Sequence, residues 1–233
     1  MSFISNHEIN NKWPATNPDL LQLYSFPTPN GVKVSIALEE MGLPYEAHTV
    51  QLNETTTPEF LSLNPNNKIP AIVDPHGPDD KPLTLWESGA ILIYLAEKSG
   101  KLMPADAVAR TQVLQWLMFQ MGGLGPMFGQ YGYFSVFAGS EIEDPRPKQR
   151  FVDEACRLLA VLEKHMADRT YMVAEEYSIA DIALWPWIRA AKLFYKADED
   201  FGYENLPNVM RWWKLCMERP ASQRGLLIPD RDA

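Results

Sequence analysis

Pro70 stands between a cluster of turn formers and an apolar run, and it constrains the fold more than any other residue. Asn64, Pro65, Asn66 and Asn67 precede it, and Ala71, Ile72 and Val73, of β-strand type, follow. A proline has no N–H for a ladder, so it belongs at the edge or first residue of a strand. An X-Pro bond in such a turn is also where a cis peptide is tolerated. A cis Ile69–Pro70 bond at the surface would leave the Ile69 N–H and C=O to pair with an extended peptide. Residues 74–80, rich in Pro, Gly and Asp, read as a hairpin turn, and 82–86 as the next strand. Glu87, Ser88 and Gly89 then lead into a helix with Ile91, Leu92 and Leu95 apolar. The unpaired N–H groups of a helix start attract anions. Together these features suit a small peptide with a free carboxylate and a free amine.

Upstream, residues 20–24 read as a first strand, 25–31 as a loop and 32–41 as a helix ended by Gly42. Residues 45–52 read as a strand. Residues 57–63 read as a short helix with Thr57 at its N-cap and Pro58 at N1. The order β-α-β-α-β-β-α predicts a mixed sheet covered by helices over residues 20–98. Residues 1–19 are polar, and the reading is an irregular arm on the surface or on a partner subunit. Residues 99–105 read as a linker. From 106 to 233 only helical patterns occur, with a break or kink expected where glycines crowd residues 122–132. Ser178 and Asp181 have the spacing of a capping box at the start of a further helix.

A net charge of −9 with no basic run argues against nucleic-acid partners. The longest apolar runs fall short of the ~20 residues a membrane span needs. Residues 1–19 lack the basic segment and apolar core of a signal peptide. Cys156 and Cys216 are far apart in the sequence, and the expectation is two reduced thiols in a cytoplasmic protein. His7, His48, His76 and His165 are scattered, so no metal is expected.

The strings NKIPAIVD and ESGAILIYLAE, in this order, resemble the glutathione site of the glutathione transferase family. FPTPNG, LQWLMFQMGGLGPMFGQ and YSIADIALWPW resemble its bacterial Nu class, to which the globular region of the yeast nitrogen-repression prion protein is related. The resemblance covers residues 20–227. It implies a thioredoxin-like α/β domain with a cis-proline, followed by an all-α domain, in a homodimer.

A glutathione enzyme must stabilise a thiolate, because a free thiol with pKa about 8.5 is only slightly ionised at neutral pH. The loop after the first strand offers Tyr24, Ser25, Thr28 and Asn30 as donors and no cysteine. Thr28 could close the helix end, with Pro29 at N1, or face the sulfur, and Ser25 is the alternative. The resemblance assigns Thr28 and Asn30 to the sulfur. It also assigns Ile69, ahead of Pro70, to the cysteinyl backbone, and Glu87 and Ser88 to the γ-glutamyl amine and carboxylate. Lys68 or Asn67 would lie near the glycyl end, although residues 53–57 are shorter than the class pattern and lack its glutamine. Arg150 matches an arginine that reaches the partner's glutathione. Phe128, Gln130, Tyr131, Tyr133 and Phe134 are candidates for the second-substrate wall, with core or dimer packing as the alternative.

The expected activity is reduction of small disulfides by one or two glutathiones, leaving oxidised glutathione, with weaker conjugation or peroxide reduction. The alternatives are a non-catalytic glutathione-binding regulator and a glutathione-dependent ether-cleaving enzyme.

Overall fold

The structure, a computed structural model, describes residues 3–231. The chain divides into two compact units, one of residues up to Gly100 together with those from Pro220 on, the other Lys101–Arg219.

In the first unit α1 (Phe3–Asn6) and a 3-10 turn (Glu8–Asn11) precede β1 (Leu21–Ser25) and α2 (Gly31–Met41). β2 (Tyr45–Thr49), α3 (Pro58–Leu63), β3 (Ala71–Asp74), β4 (Leu83–Trp86) and α4 (Ser88–Ser99) follow. The sheet order is β2-β1-β3-β4, with β1 parallel to β2 and antiparallel to β3, and β3 antiparallel to β4. This is the mixed sheet that the alternation predicts, in the thioredoxin-like form that the resemblance implies. α2 ends as expected on Gly42, whose φ of 67° lets its N–H reach the Leu38 carbonyl. The Ile69–Pro70 peptide is cis.

Residues 3–19 do not form the irregular surface arm expected for residues 1–19, and residues 1 and 2 lie outside the described residues. Ile4, Ile9 and Trp13 are buried with Tyr24, Phe60 and Val73 in one core cluster. Trp13 donates from Nε1 to the Thr49 carbonyl at 3.0 Å, and Glu46 accepts the N–H groups of Thr16 and Asn17. The physical reason is apolar burial, since Ile4, Ile9 and Trp13 close over Tyr24 of β1, Ala71 and Val73 of β3 and Phe60 and Leu63 of α3.

The second unit holds α5 (Ala107–Phe119), α6 (Gly125–Ser135), α7 (Arg146–His165), α8 (Ile179–Arg189), α9 (Asp198–Phe201) and α10 (Pro207–Met217). Of the break or kink expected at residues 122–132, the helix shows no break, and its irregularity is a π-turn that includes Gly122 and Gly123. One π-turn, Gln120–Leu124, joins α5 to α6 without loss of helix. The glycines there serve close packing: a Cβ on Gly125 would lie 2.3 Å from Gln120 Nε2, and one on Gly132 2.5 Å from the Tyr195 ring. α8 starts with the capping box expected of Ser178 and Asp181. The buried Asp181 carboxylate also accepts from Met172 N–H and Trp212 Nε1, at 2.9 and 2.8 Å.

α11 (Pro220–Gly225) belongs to the first unit, not to the helical domain expected to run to residue 233. It packs on α2 through Ser35, whose Oγ donates to the Gly225 carbonyl at 2.6 Å. Among the described residues no helix is long and apolar enough to cross a membrane.

Candidate functional site

The candidate site is assembled from three turns of the first unit. At the first, between β1 and α2, the Thr28 Oγ accepts from Gly31 N–H at 3.1 Å, and the Thr28 carbonyl accepts from Val32 N–H at 3.0 Å. Thr28 therefore caps α2. A hydroxyl that accepts still has its own proton to donate, so the cap and a sulfur-facing role are compatible. Asn30 lies in the same turn, half-buried, with its Oδ1 2.8 Å from Lys33 Nζ. The two other hydroxyls of this region are buried, and that of Tyr24 has no hydrogen-bond partner among the described residues. Ser25 is fully buried beneath Gly31, where an added Cβ would come within 2.6 Å of its Oγ. Tyr24 stacks on His48 at 4.6 Å between ring centroids, and burial raises its hydroxyl pKa well above 10.

At the second turn, buried Asn64 donates from Nδ2 to the Lys68 carbonyl at 2.6 Å and accepts from Asn66 N–H at 2.9 Å. Asn67, at φ 55°, accepts on Oδ1 from Thr55 Oγ at 3.2 Å. The short segment before α3 thus supports this turn rather than lying apart from it. The turn leaves Asn67 and Lys68 exposed and carries Ile69 and Pro70 into the buried core.

At the third, Glu87 takes a left-handed φ of 72°, uncommon for a residue with a side chain. Such conformations persist where the surroundings demand them, often at binding sites. Its carbonyl accepts from Ile91 N–H at 2.9 Å, starting α4, and its exposed carboxylate meets Asn66 Nδ2 at 3.5 Å. Ser88, the first residue of α4, is buried. The structure therefore places Asn66 and Glu87 in contact, and joins Asn30 to Ser88 through Lys33 Nζ, which is 3.4 Å from Ser88 Oγ.

In the second unit Arg150 is exposed on α7. The proposed second-substrate wall does not form one surface. Phe128 and Tyr131 are core residues, packed on Phe201 at 5.0 and 4.5 Å between centroids, and Tyr131 donates to Asp200 at 2.7 Å. Three- and four-residue spacing on α6 turns these two inward, whereas Gln130 and Tyr133 are exposed and Phe134 stacks on Phe151. Among the described residues no group of three or more His, Cys, Asp or Glu could hold a metal.

The family description "Glutathione S-transferase, N-terminal domain" matches residues 20–97, and "Glutathione S-transferase, C-terminal domain" matches 126–220. A relative in Escherichia coli, disulfide-bond oxidoreductase YfcG, is 43% identical over 212 residues, covering 89% of this chain and 95% of its own. The chain belongs to the glutathione S-transferase family. A glutathione transferase of Pseudomonas putida, crystallised with one glutathione disulfide per subunit, is 57% identical. It superposes with a TM-score of 0.96, covering 98% of this chain and 100% of its own. A family member from Pseudomonas fluorescens, crystallised with two glutathiones, is 59% identical, with a TM-score of 0.95 over 96% of this chain and 100% of its own.

For this family member the sequence reading passed over Lys33, which is 0% exposed. The signal was present: it is the one charged side chain among residues 31–38, all buried in α2. Burial lowers its pKa from 10.5 to about 7, against the raising effect of the Glu87 carboxylate. A lysine depressed in the fold binds fewer protons there than in the unfolded chain. The cost of burying Lys33 should therefore shrink as pH rises from about 7 toward 10.5, by up to about 5 kcal/mol. In urea titrations the stability of Lys33→Met relative to wild type should fall between these limits. A pH-independent difference would contradict the lowered value.

Proposed function

We propose that this chain is a homodimeric, glutathione-dependent reductase of small disulfides, of the Nu type. The observation that carries the reading is the loop between β1 and α2, where Thr28 and Asn30 sit at the start of a helix and no cysteine is present. The names and bound ligands of the relatives support the same class of chemistry.

In the proposed reaction Thr28 O–H and the Asn30 amide N–H donate to the sulfur of one glutathione, favouring its thiolate. Ile69 pairs with the cysteinyl backbone, Glu87 binds the γ-glutamyl amine, and Ser88 with the start of α4 binds the γ-glutamyl carboxylate. Lys68 and Asn67 attend the glycyl end. Arg150 is assigned to the partner's glutathione in the dimer. The thiolate attacks one sulfur of the substrate disulfide, forming a mixed disulfide and expelling the other sulfur as a thiolate. A second glutathione thiolate attacks the glutathione sulfur of the mixed disulfide, giving oxidised glutathione and the second product thiolate. The two glutathione thiol protons end on the two product thiols. Conjugation to electrophiles and peroxide reduction draw on the same thiolate and are the weaker activities.

Both sulfurs of the oxidised product come from ligand. Cys156 is half-buried with its thiol donating to the Asp200 carbonyl, and burial raises its pKa; Cys216 is buried. A Cys156→Ser, Cys216→Ala double variant should keep the reduction rate within about two-fold, with one oxidised glutathione formed per disulfide consumed. A folded double variant without activity, or a glutathione-linked protein during turnover, would overturn this mechanism.

A further inference from the structure

A fully buried lysine burdens a fold, because desolvating an ammonium opposes its charged form. Lysines are almost never fully buried unless partnered. Val32, Val34 and Ile36 around Lys33 show that an apolar side chain suits this part of α2. What Lys33 does there is join two groups from different elements. Its Nζ donates to Asn30 Oδ1 at 2.8 Å and to Ser88 Oγ at 3.4 Å. Asn30 stands where the proposed reading puts the glutathione sulfur, and Ser88 where it puts the γ-glutamyl carboxylate.

In its protonated form, which burial confines to pH values up to about 7, Lys33 can only donate, so it then decides the polarity of whatever it meets. The Asn30 oxygen must face Lys33, which turns the NH₂ end of the planar amide to the other side, as a thiolate requires. The reverse orientation would set a carbonyl oxygen against the thiolate and an NH₂ against the ammonium. The Ser88 oxygen, by accepting from Lys33, is favoured as a donor through its own O–H, which an incoming carboxylate requires. One buried group thus serves both ends of the ligand.

We propose that Lys33 is a positioning residue that sets the donor polarity of Asn30 and Ser88 together, coupling thiolate stabilisation to carboxylate recognition. This rests on the reading of the three turns as a glutathione site. The coupling has an energetic signature: loss of Lys33 and loss of the Asn30 amide remove the same interaction with sulfur. Their effects on the thiolate are therefore non-additive, as expected for residues in one hydrogen-bonded network.

The experiment compares wild type, Lys33→Met, Asn30→Ala and the double variant. It reads glutathione affinity by calorimetry and the apparent pKa of the bound thiol by the ultraviolet absorbance of the thiolate. Lys33→Met is expected to weaken glutathione binding roughly ten-fold and to raise the bound-thiol pKa by about 1. The double variant should match Asn30→Ala in bound-thiol pKa. Lys33→Gln, which keeps a donor of shorter reach, should recover part of the loss, and it carries the same comparison if Lys33→Met loses its fold. A folded Lys33 variant with an unchanged bound-thiol pKa, or shifts that add in full, overturns the inference while leaving the glutathione site intact. Wild type that binds no glutathione overturns both.

Discussion

Asp181→Ala is expected to destabilise the helical unit by about 3–5 kcal/mol, the largest effect of any single side-chain truncation considered for this chain. The carboxylate accepts from Met172 N–H and Trp212 Nε1 on one oxygen, and from Ser178 N–H and Ser178 Oγ on the other. It is 0% exposed, and burial pushes its pKa up to about 6 against those donors. Truncation leaves donors of a loop, a helix start and an indole buried without an acceptor. At roughly 2–4 °C per kcal/mol for a chain of this size, the melting temperature should fall by about 6–20 °C. A fall of only a few degrees would show that water can replace the carboxylate.

Gly31→Ala is expected to abolish the loop geometry on which the site depends. A Cβ on Gly31 would lie 1.9 Å from the Phe26 carbonyl oxygen and 2.6 Å from Ser25 Oγ. The first neighbour is backbone, so the loop holding Thr28 and Asn30 must move away from the helix start. The stability cost is about 1–3 kcal/mol, as for other forced overpacking. Glutathione affinity should fall ten-fold or more, about 1.4 kcal/mol. Gly122→Ala, whose Cβ would meet nothing within 4 Å, is the control and should leave both unchanged or raise stability slightly. Normal glutathione binding by Gly31→Ala would mean that this loop does not hold the ligand.

The legible parts of the fold were those where local chemistry and global fold agree. The turn before Pro70, the Gly42 helix end and the Ser178–Asp181 box each carry a residue type whose geometry leaves few choices. The arm was misread because Ile4, Ile9 and Trp13 are separated by polar residues, and their burial depends on distant partners such as Tyr24, Phe60 and Val73. The glycines of residues 122–132 looked like breakers because single-residue propensity ignores neighbours. In the fold they admit Gln120, Trp187 and Tyr195 against the helix axis. Residues from Pro220 on carry no local mark of which unit they join; the Ser35–Gly225 bond is a long-range fact. In the candidate site, Thr28, Asn30, Glu87 and Ser88 are suggested by motif resemblance. Asn64 and Thr55, which hold the turn before Ile69, and Lys33, which joins two turns, are not, because their importance is a matter of burial.

Steady-state reduction of 2-hydroxyethyl disulfide by glutathione, in wild type, Thr28→Ala and Asn30→Ala, decides whether this loop holds a reactive ligand thiolate. The expected result is efficient turnover by wild type and a fall of ten-fold or more in kcat/KM, about 1.4 kcal/mol of transition-state stabilisation, in at least one variant. Glutathione binding without turnover in wild type, or full activity in both folded variants, would contradict it.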